Sequence, residues 1–164
     1  MKTMILFAST YGYTQECATK LANDLEDDVR LVNINKDKIP SLDAFDTILI
    51  GGSIYMGQIQ KKIKDYCVSN EELLKNKNLG FFISSGTPEN FDVNIKNAYP
   101  EPLLKNAISI ENFGGELRTD KMKLSHKLIT SIMKKATAKE NNPPTKPLPE
   151  NIERMAQTIL NHCQ

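Results

Sequence analysis

The chain has 164 residues, enough for one domain with a central sheet covered on both faces but crowded for two. A hydrophobic content of 40% and a charged content of 25% are ordinary for a soluble globular protein, and no apolar run approaches the length of a membrane span. Lysine and arginine total 21 against 20 acids, a net charge of +1, which gives no global field for nucleic acid or a membrane surface.

Met1-Lys2-Thr3-Met4 leads straight into an apolar strand, Met4 to Ala8, too short for a signal-peptide core, and the expectation is a cytoplasmic protein. Ser9-Thr10-Tyr11-Gly12-Tyr13-Thr14 then precedes an amphipathic helix opening near Gln15. A strand that ends in a tight, hydroxyl-rich turn and feeds a helix N-terminus aims backbone N–H groups and the positive end of the macrodipole at one point. Gly12 supplies backbone freedom, while Ser9, Thr10 and Thr14 add hydroxyl donors. The loop has no lysine or arginine, no Gly-Lys-Ser/Thr ending and no set of three spaced glycines. It therefore suits a single terminal phosphate better than a nucleoside triphosphate with Mg²⁺ or a dinucleotide. The plainer reading of the hexamer alone is a serine/threonine cap on an ordinary turn.

Cys17, Ala18, Leu21, Ala22 and Leu25 recur at helical spacing and define the buried face of the first helix. A strand follows at Val29 to Ile34, then a polar linker with Pro40, then Thr47-Ile48-Leu49-Ile50-Gly51-Gly52, a run typical of a central parallel strand. Ser53-Ile54-Tyr55-Met56-Gly57 forms the next loop, and Ile59, Ile63, Tyr66 and Cys67 mark another helix. Leu79 to Ser84 is a buried strand, Ser85-Gly86-Thr87-Pro88-Glu89-Asn90-Phe91 a loop, and Val93 to Tyr99 a helix stopped by Pro100 and Pro102. A last strand covers Ile108 to Leu117. Leu124 to Ala136 reads as a basic amphipathic helix, Asn141 to Pro149 as a loop, and Ile152, Met155, Ala156, Ile159 and Leu160 as a closing helix. Alternating strands and helices require right-handed crossovers and an open parallel sheet, whose ligands bind outside the carboxyl ends of the strands. The three loops fall there. Cys17, Cys67 and Cys163 have neither disulfide-framework nor metal-site spacing and read as buried thiols.

The first loop resembles that of the flavodoxin superfamily, whose FMN-phosphate loop reads Ser/Thr-x-Thr-Gly-x-Thr; here Tyr11 stands at the inner threonine. Over nearly the whole chain the likeness is to the branch of menaquinone-dependent protoporphyrinogen IX dehydrogenases. It is carried by Met1 to Phe7, by Ile48 to Gly57 and by Gly114-Gly115-Glu116-Leu117-Arg118. In this chain Tyr55-Met56 takes the place of the Arg-Tyr usual in that branch, and the added helix lacks its aromatic and arginine residues.

The resemblance implies an α/β fold: a flavodoxin-like three-layer sandwich with a five-stranded parallel sheet in order 2-1-3-4-5, an extra helix after the last strand, and a single domain over residues 1–164. It implies FMN, with Ser9, Thr10, Tyr11, Gly12, Tyr13 and Thr14 at the phosphate. Ser53, Ile54, Tyr55, Met56 and Gly57 then flank the isoalloxazine, with Tyr55 and Met56 packing on its face. Ser84, Ser85, Gly86 and Thr87 present backbone N–H groups to the pyrimidine edge, and Phe91 covers the ring or anchors the loop. No catalytic residue is assigned. Arg118 has three uses open to it: flavin contact, anionic substrate, or a surface ion pair.

The function expected is an FMN-dependent oxidoreductase resembling protoporphyrinogen IX dehydrogenase, working with a redox partner protein, a quinone or a small-molecule substrate. The rival is a flavodoxin-type single-electron carrier, against which the near-neutral charge counts. A flavin-free receiver module would need acids after the first and third strands, where this chain has Ala8-Ser9 and Gly51-Gly52-Ser53. The basic helix is read as packing on the domain or on a second subunit of a homodimer, with weak peripheral contact to anionic lipid as its other use.

Overall fold

The computed structural model describes residues 1–26, 28–116 and 146–163. Five parallel strands build the sheet: β1 (Lys2–Ala8), β2 (Asp28–Asn33), β3 (Thr47–Tyr55), β5 (Asn78–Ser84) and β6 (Ala107–Asn112), in spatial order β2-β1-β3-β5-β6. A two-residue strand, β4 (Gln58–Ile59), pairs antiparallel with the end of β3 and lies off this path. Without that hairpin the order is the expected 2-1-3-4-5. The order reverses between β1 and β3, which places the switch point at their carboxyl ends.

Strand alternation divides the core into two layers. Met4, Leu6 and Ala8 of β1, Ile48 and Ile50 of β3, and Leu79, Phe81 and Ile83 of β5 face one side. They are covered there by α2 (Lys61–Ser69), α3 (Glu71–Leu74), α4 (Phe91–Ala98) and α5 (Glu101–Lys105), which contribute Ile63, Cys67, Leu74, Ile95, Ala98 and Leu103. Ile5, Phe7, Leu49 and Phe82 face the other side, under α1 (Tyr13–Leu25) and α6 (Pro149–His162). The helices use the positions their 3.6-residue period supplies: Cys17, Ala18, Leu21 and Leu25 on α1, and Ile152, Met155, Ala156 and Ile159 on α6.

Several boundaries differ from the sequence expectation. Helix α1 begins at Tyr13 rather than near Gln15, because Gly12 takes the cap position with φ 95°. The last strand ends at Asn112 instead of Leu117. Asn112 Oδ1 accepts the Gly114 N–H at 3.0 Å, the chain turns at Gly114 with φ 77°, and Gly114 then bridges to Pro147. A side-chain acceptor has replaced the ladder there. The expected helix over Leu124 to Ala136, and Arg118, lie outside the described residues. Among the described residues, no helix is long and apolar enough to cross a membrane.

Candidate functional site

The first loop is short because β1 ends at Ala8 and α1 starts at Tyr13. The Gly12 N–H donates to Ser9 Oγ at 3.1 Å, closing the turn. That backbone lies in the left-handed region at Gly12, which a side chain would strain. No side chain caps α1, so its first-turn N–H groups are not taken up in that way, and they point into the loop. Thr14, 1% exposed, sits on this first turn.

The second loop is a hairpin. Met56 (φ 50°) and Gly57 (φ 74°) form its two-residue turn, with Ile54 opposite Ile59 and Tyr55 opposite Gln58. Two successive positive φ values are the backbone of a primed hairpin turn, ordinary for glycine and rare for methionine. By folding back, the hairpin brings Gln58, Ile59 and Gln60 beside Ser53, Ile54 and Tyr55.

The third loop is fixed from behind. Asn112 Oδ1 accepts the Ser85 N–H at 3.2 Å as well as that of Gly114. Thr87 N–H donates to Ser85 Oγ at 3.3 Å, so the amides of Ser85 and Thr87 are both engaged inside the protein. Gly115 lies so close to this loop that a Cβ on it would come within 2.7 Å of the Gly86 nitrogen. Tyr13 joins the first loop to the same region, its phenol donating to the Phe113 carbonyl at 2.7 Å.

Together these loops enclose a cleft of about 400 Å³, within the range of small-molecule and cofactor sites. Of the residues expected at the site, Ser9, Thr10, Tyr11, Tyr13, Thr14, Ser53, Ile54, Tyr55, Ser84 and Gly86 line it. Gly12, Met56, Gly57, Ser85, Thr87 and Phe91 are not on its wall, and Met56 is 64% exposed at the hairpin tip. Gln58, Ile59, Gln60, Gly115 and Glu116 line the cleft without having been expected. The hairpin residues escaped notice because Met56-Gly57 is not a usual turn pair. Gly114-Gly115 carried a turn signal that could have been read.

The wall combines hydroxyls with aromatic and branched apolar side chains, and Glu116 is the one charged residue among the described lining residues. An anion held there by those residues would rest on hydroxyls and helix-terminal amides instead of cations. Among the described residues, no group of three His, Cys, Asp or Glu side chains is placed to hold a metal ion.

The model of the Flavodoxin domain family matches residues 4–143. The chain belongs to this family. The flavodoxin domain is also 27% identical over 85 residues to protoporphyrinogen IX dehydrogenase [quinone] of Escherichia coli K12. The match takes in 50% of this chain and 47% of that enzyme, so the chain spans about half the length of the curated relative. Among solved structures it resembles a short-chain flavodoxin associated with a non-canonical PDU bacterial microcompartment, with a TM-score of 0.61, 12% identity and full coverage of both chains. It also resembles a flavoprotein from Lactobacillus acidophilus NCFM in complex with FMN, with a TM-score of 0.52 and 20% identity over 68% of this chain and 92% of that one. At these identities the structural likeness establishes the fold.

Proposed function

We propose that this flavodoxin domain binds FMN in the cleft and serves as an oxidoreductase resembling protoporphyrinogen IX dehydrogenase. The observation that carries the reading is the convergence of the first, second and third loops on one cleft at the carboxyl edge of the sheet, at the switch point between β1 and β3. The donor set fits a phosphate monoester: the hydroxyls of Ser9, Thr10, Thr14 and Ser53 stand with the amides of an uncapped helix start. Tyr11, Tyr55, Ile54 and Ile59 give the rest of the wall the apolar character that a planar ring needs. The relative that matches over half the chain acts on protoporphyrinogen IX with a quinone, and this supports an organic substrate.

When bound, the flavin supplies the electron-accepting and electron-donating chemistry. The protein's part is to hold the phosphate at Ser9 to Thr14, to orient the ring between the hairpin and the third loop, and to limit water around it. Quinone, small-molecule substrate and redox protein are the candidate partners of this reading, in a cytoplasmic setting.

A second reading is a single-electron carrier between proteins, in which Met56, 64% exposed at the hairpin tip, would lie at the partner contact. The test is the visible absorption spectrum of the protein titrated with FMN, then followed with protoporphyrinogen and a menaquinone analogue. Bleaching of the bound flavin by protoporphyrinogen, with recovery on adding the quinone, is the expected result. Bleaching by a ferredoxin-type reductase alone would favour the carrier. Failure to take up FMN would remove both readings.

A further inference from the structure

We infer that Gln60 is a positioning residue for the anion end of the cleft and that it sets the preference for a phosphorylated over an unphosphorylated flavin; the inference rests on the FMN reading above. Gln60 caps α2, immediately after the hairpin, and its side chain reaches back across the cleft wall. Its amide nitrogen donates to Ser53 Oγ at 2.6 Å and to Thr10 Oγ1 at 3.4 Å. It thereby joins the second loop to the first. Both hydroxyls line the cleft.

A primary amide nitrogen carries two hydrogens and cannot accept. A hydroxyl that receives a hydrogen bond from it keeps its own hydrogen for another acceptor, so Gln60 leaves Ser53 and Thr10 as donors toward the cleft. An amide turned the other way would take both hydroxyl hydrogens on its oxygen and remove two donors from the anion site. Glycine at position 52 leaves the side chain its room, since an added Cβ there would come within 2.6 Å of Gln60 Oε1. That oxygen is buried and, among the described residues, has no hydrogen-bond donor. Turned the other way, the amide would bury two unpaired N–H hydrogens there in place of one acceptor, so the nitrogen faces the hydroxyls.

The phosphate is where this matters. Riboflavin has the same ring and polyol but no anion, so it does not draw on two hydroxyls aligned as anion donors. The experiment measures dissociation constants of FMN and of riboflavin by quenching of flavin fluorescence, for the wild-type chain and for Gln60→Met, Gln60→Glu, Ser53→Ala and the Gln60→Met/Ser53→Ala pair. Gln60→Met should lower the FMN-to-riboflavin preference by about tenfold or more, the size of a hydrogen bond to a charged group, with riboflavin affinity little changed. Gln60→Glu keeps the shape but offers only acceptors and a negative charge, and should lower the preference further. It also serves if the methionine variant does not fold. Because Gln60 acts partly through Ser53, adding Gln60→Met to Ser53→Ala should cost clearly less than Gln60→Met costs in the wild-type chain, the remainder being its effect through Thr10.

Parallel weakening of FMN and riboflavin, or a double variant whose losses multiply, would overturn the inference and make Gln60 a purely structural residue. A wild-type chain that binds FMN and riboflavin equally overturns it while leaving a flavin site standing. One that binds neither removes the FMN reading as well.

Discussion

Gly51 has the Phe82 ring lying where a side chain would begin, and that ring stacks on Phe113 with centroids 4.6 Å apart and planes 18° from parallel. A methyl group at Gly51 would meet a fully buried aromatic pair, and close-packed interiors accommodate added atoms only by strain. Gly51→Ala is therefore expected to destabilise the protein by about 1–3 kcal/mol, the usual range for overpacking, read as a lowered midpoint in urea unfolding. Tyr99 offers a second test. Its phenol, fully buried, donates to the Phe82 carbonyl at 2.8 Å and the Ile50 carbonyl at 3.2 Å, spanning two central strands. Tyr99→Phe keeps the ring and should cost about 0.5–1.5 kcal/mol by the same measurement. Neither contact was legible in the sequence. Gly51 reads as one more residue of an apolar strand, and its close neighbour is set by the register of β3 against β5, which no local pattern encodes. Ser9, Thr10 and Thr14 were legible, because strand, hydroxyl-rich turn and helix follow one another in the chain.

At the scale of elements, α6 is fastened to β6 by a patch of polar contacts. Arg154 meets the Glu111 carboxylate through two nitrogens, at 2.8 and 2.6 Å, and Asn151 Nδ2 donates to the Asn112 carbonyl at 2.6 Å. Arg154 is more than half exposed, so solvent screens the pair. Arg154→Ala should lower stability by no more than about 1 kcal/mol, with the difference from wild type shrinking as salt is added to a thermal melt. Asn112 itself does more, since its side-chain oxygen holds both the third loop and the turn after β6. Asn112→Ala is expected to weaken FMN binding without shifting the β6 register, checked by fluorescence titration beside circular dichroism. The periodicity of β1, α1, β3, β5 and α6 made these elements readable. The β3–β4 hairpin was not, because its turn rests on a methionine at positive φ, a conformation the surrounding structure imposes against local preference.

Across the whole molecule, the core acts on the protons it encloses, most clearly in the layer that holds Cys67. Burial pushes the Cys67 thiol from its ordinary 9.0 up to about 12, and burial together with the neighbouring Cys67 pushes the Tyr66 phenol from 10.0 up to about 12. A raised folded-state value means that the folded form prefers the proton. Stability from this source is complete below pH 9, falls as pH rises above the unfolded thiol's value, and is lost through about 12. Urea midpoints measured upward from pH 8 should therefore decline, less steeply in Cys67→Ala, and Cys67 should resist thiol reagents until the protein unfolds.

The other layer carries a different consequence. Ile5, Leu49 and Phe82 come from the first half of the chain, yet their cover includes α6, which begins only at Pro149. During synthesis the ribosome delivers the sheet long before it delivers this lid, so the nascent protein must pass through an interval with one greasy side of its sheet half bare. A chain arrested before Pro149 should bind a hydrophobic dye and draw holdase chaperones, whereas one that includes α6 should do neither. For this protein, one face of the core cannot close until α6 has been made.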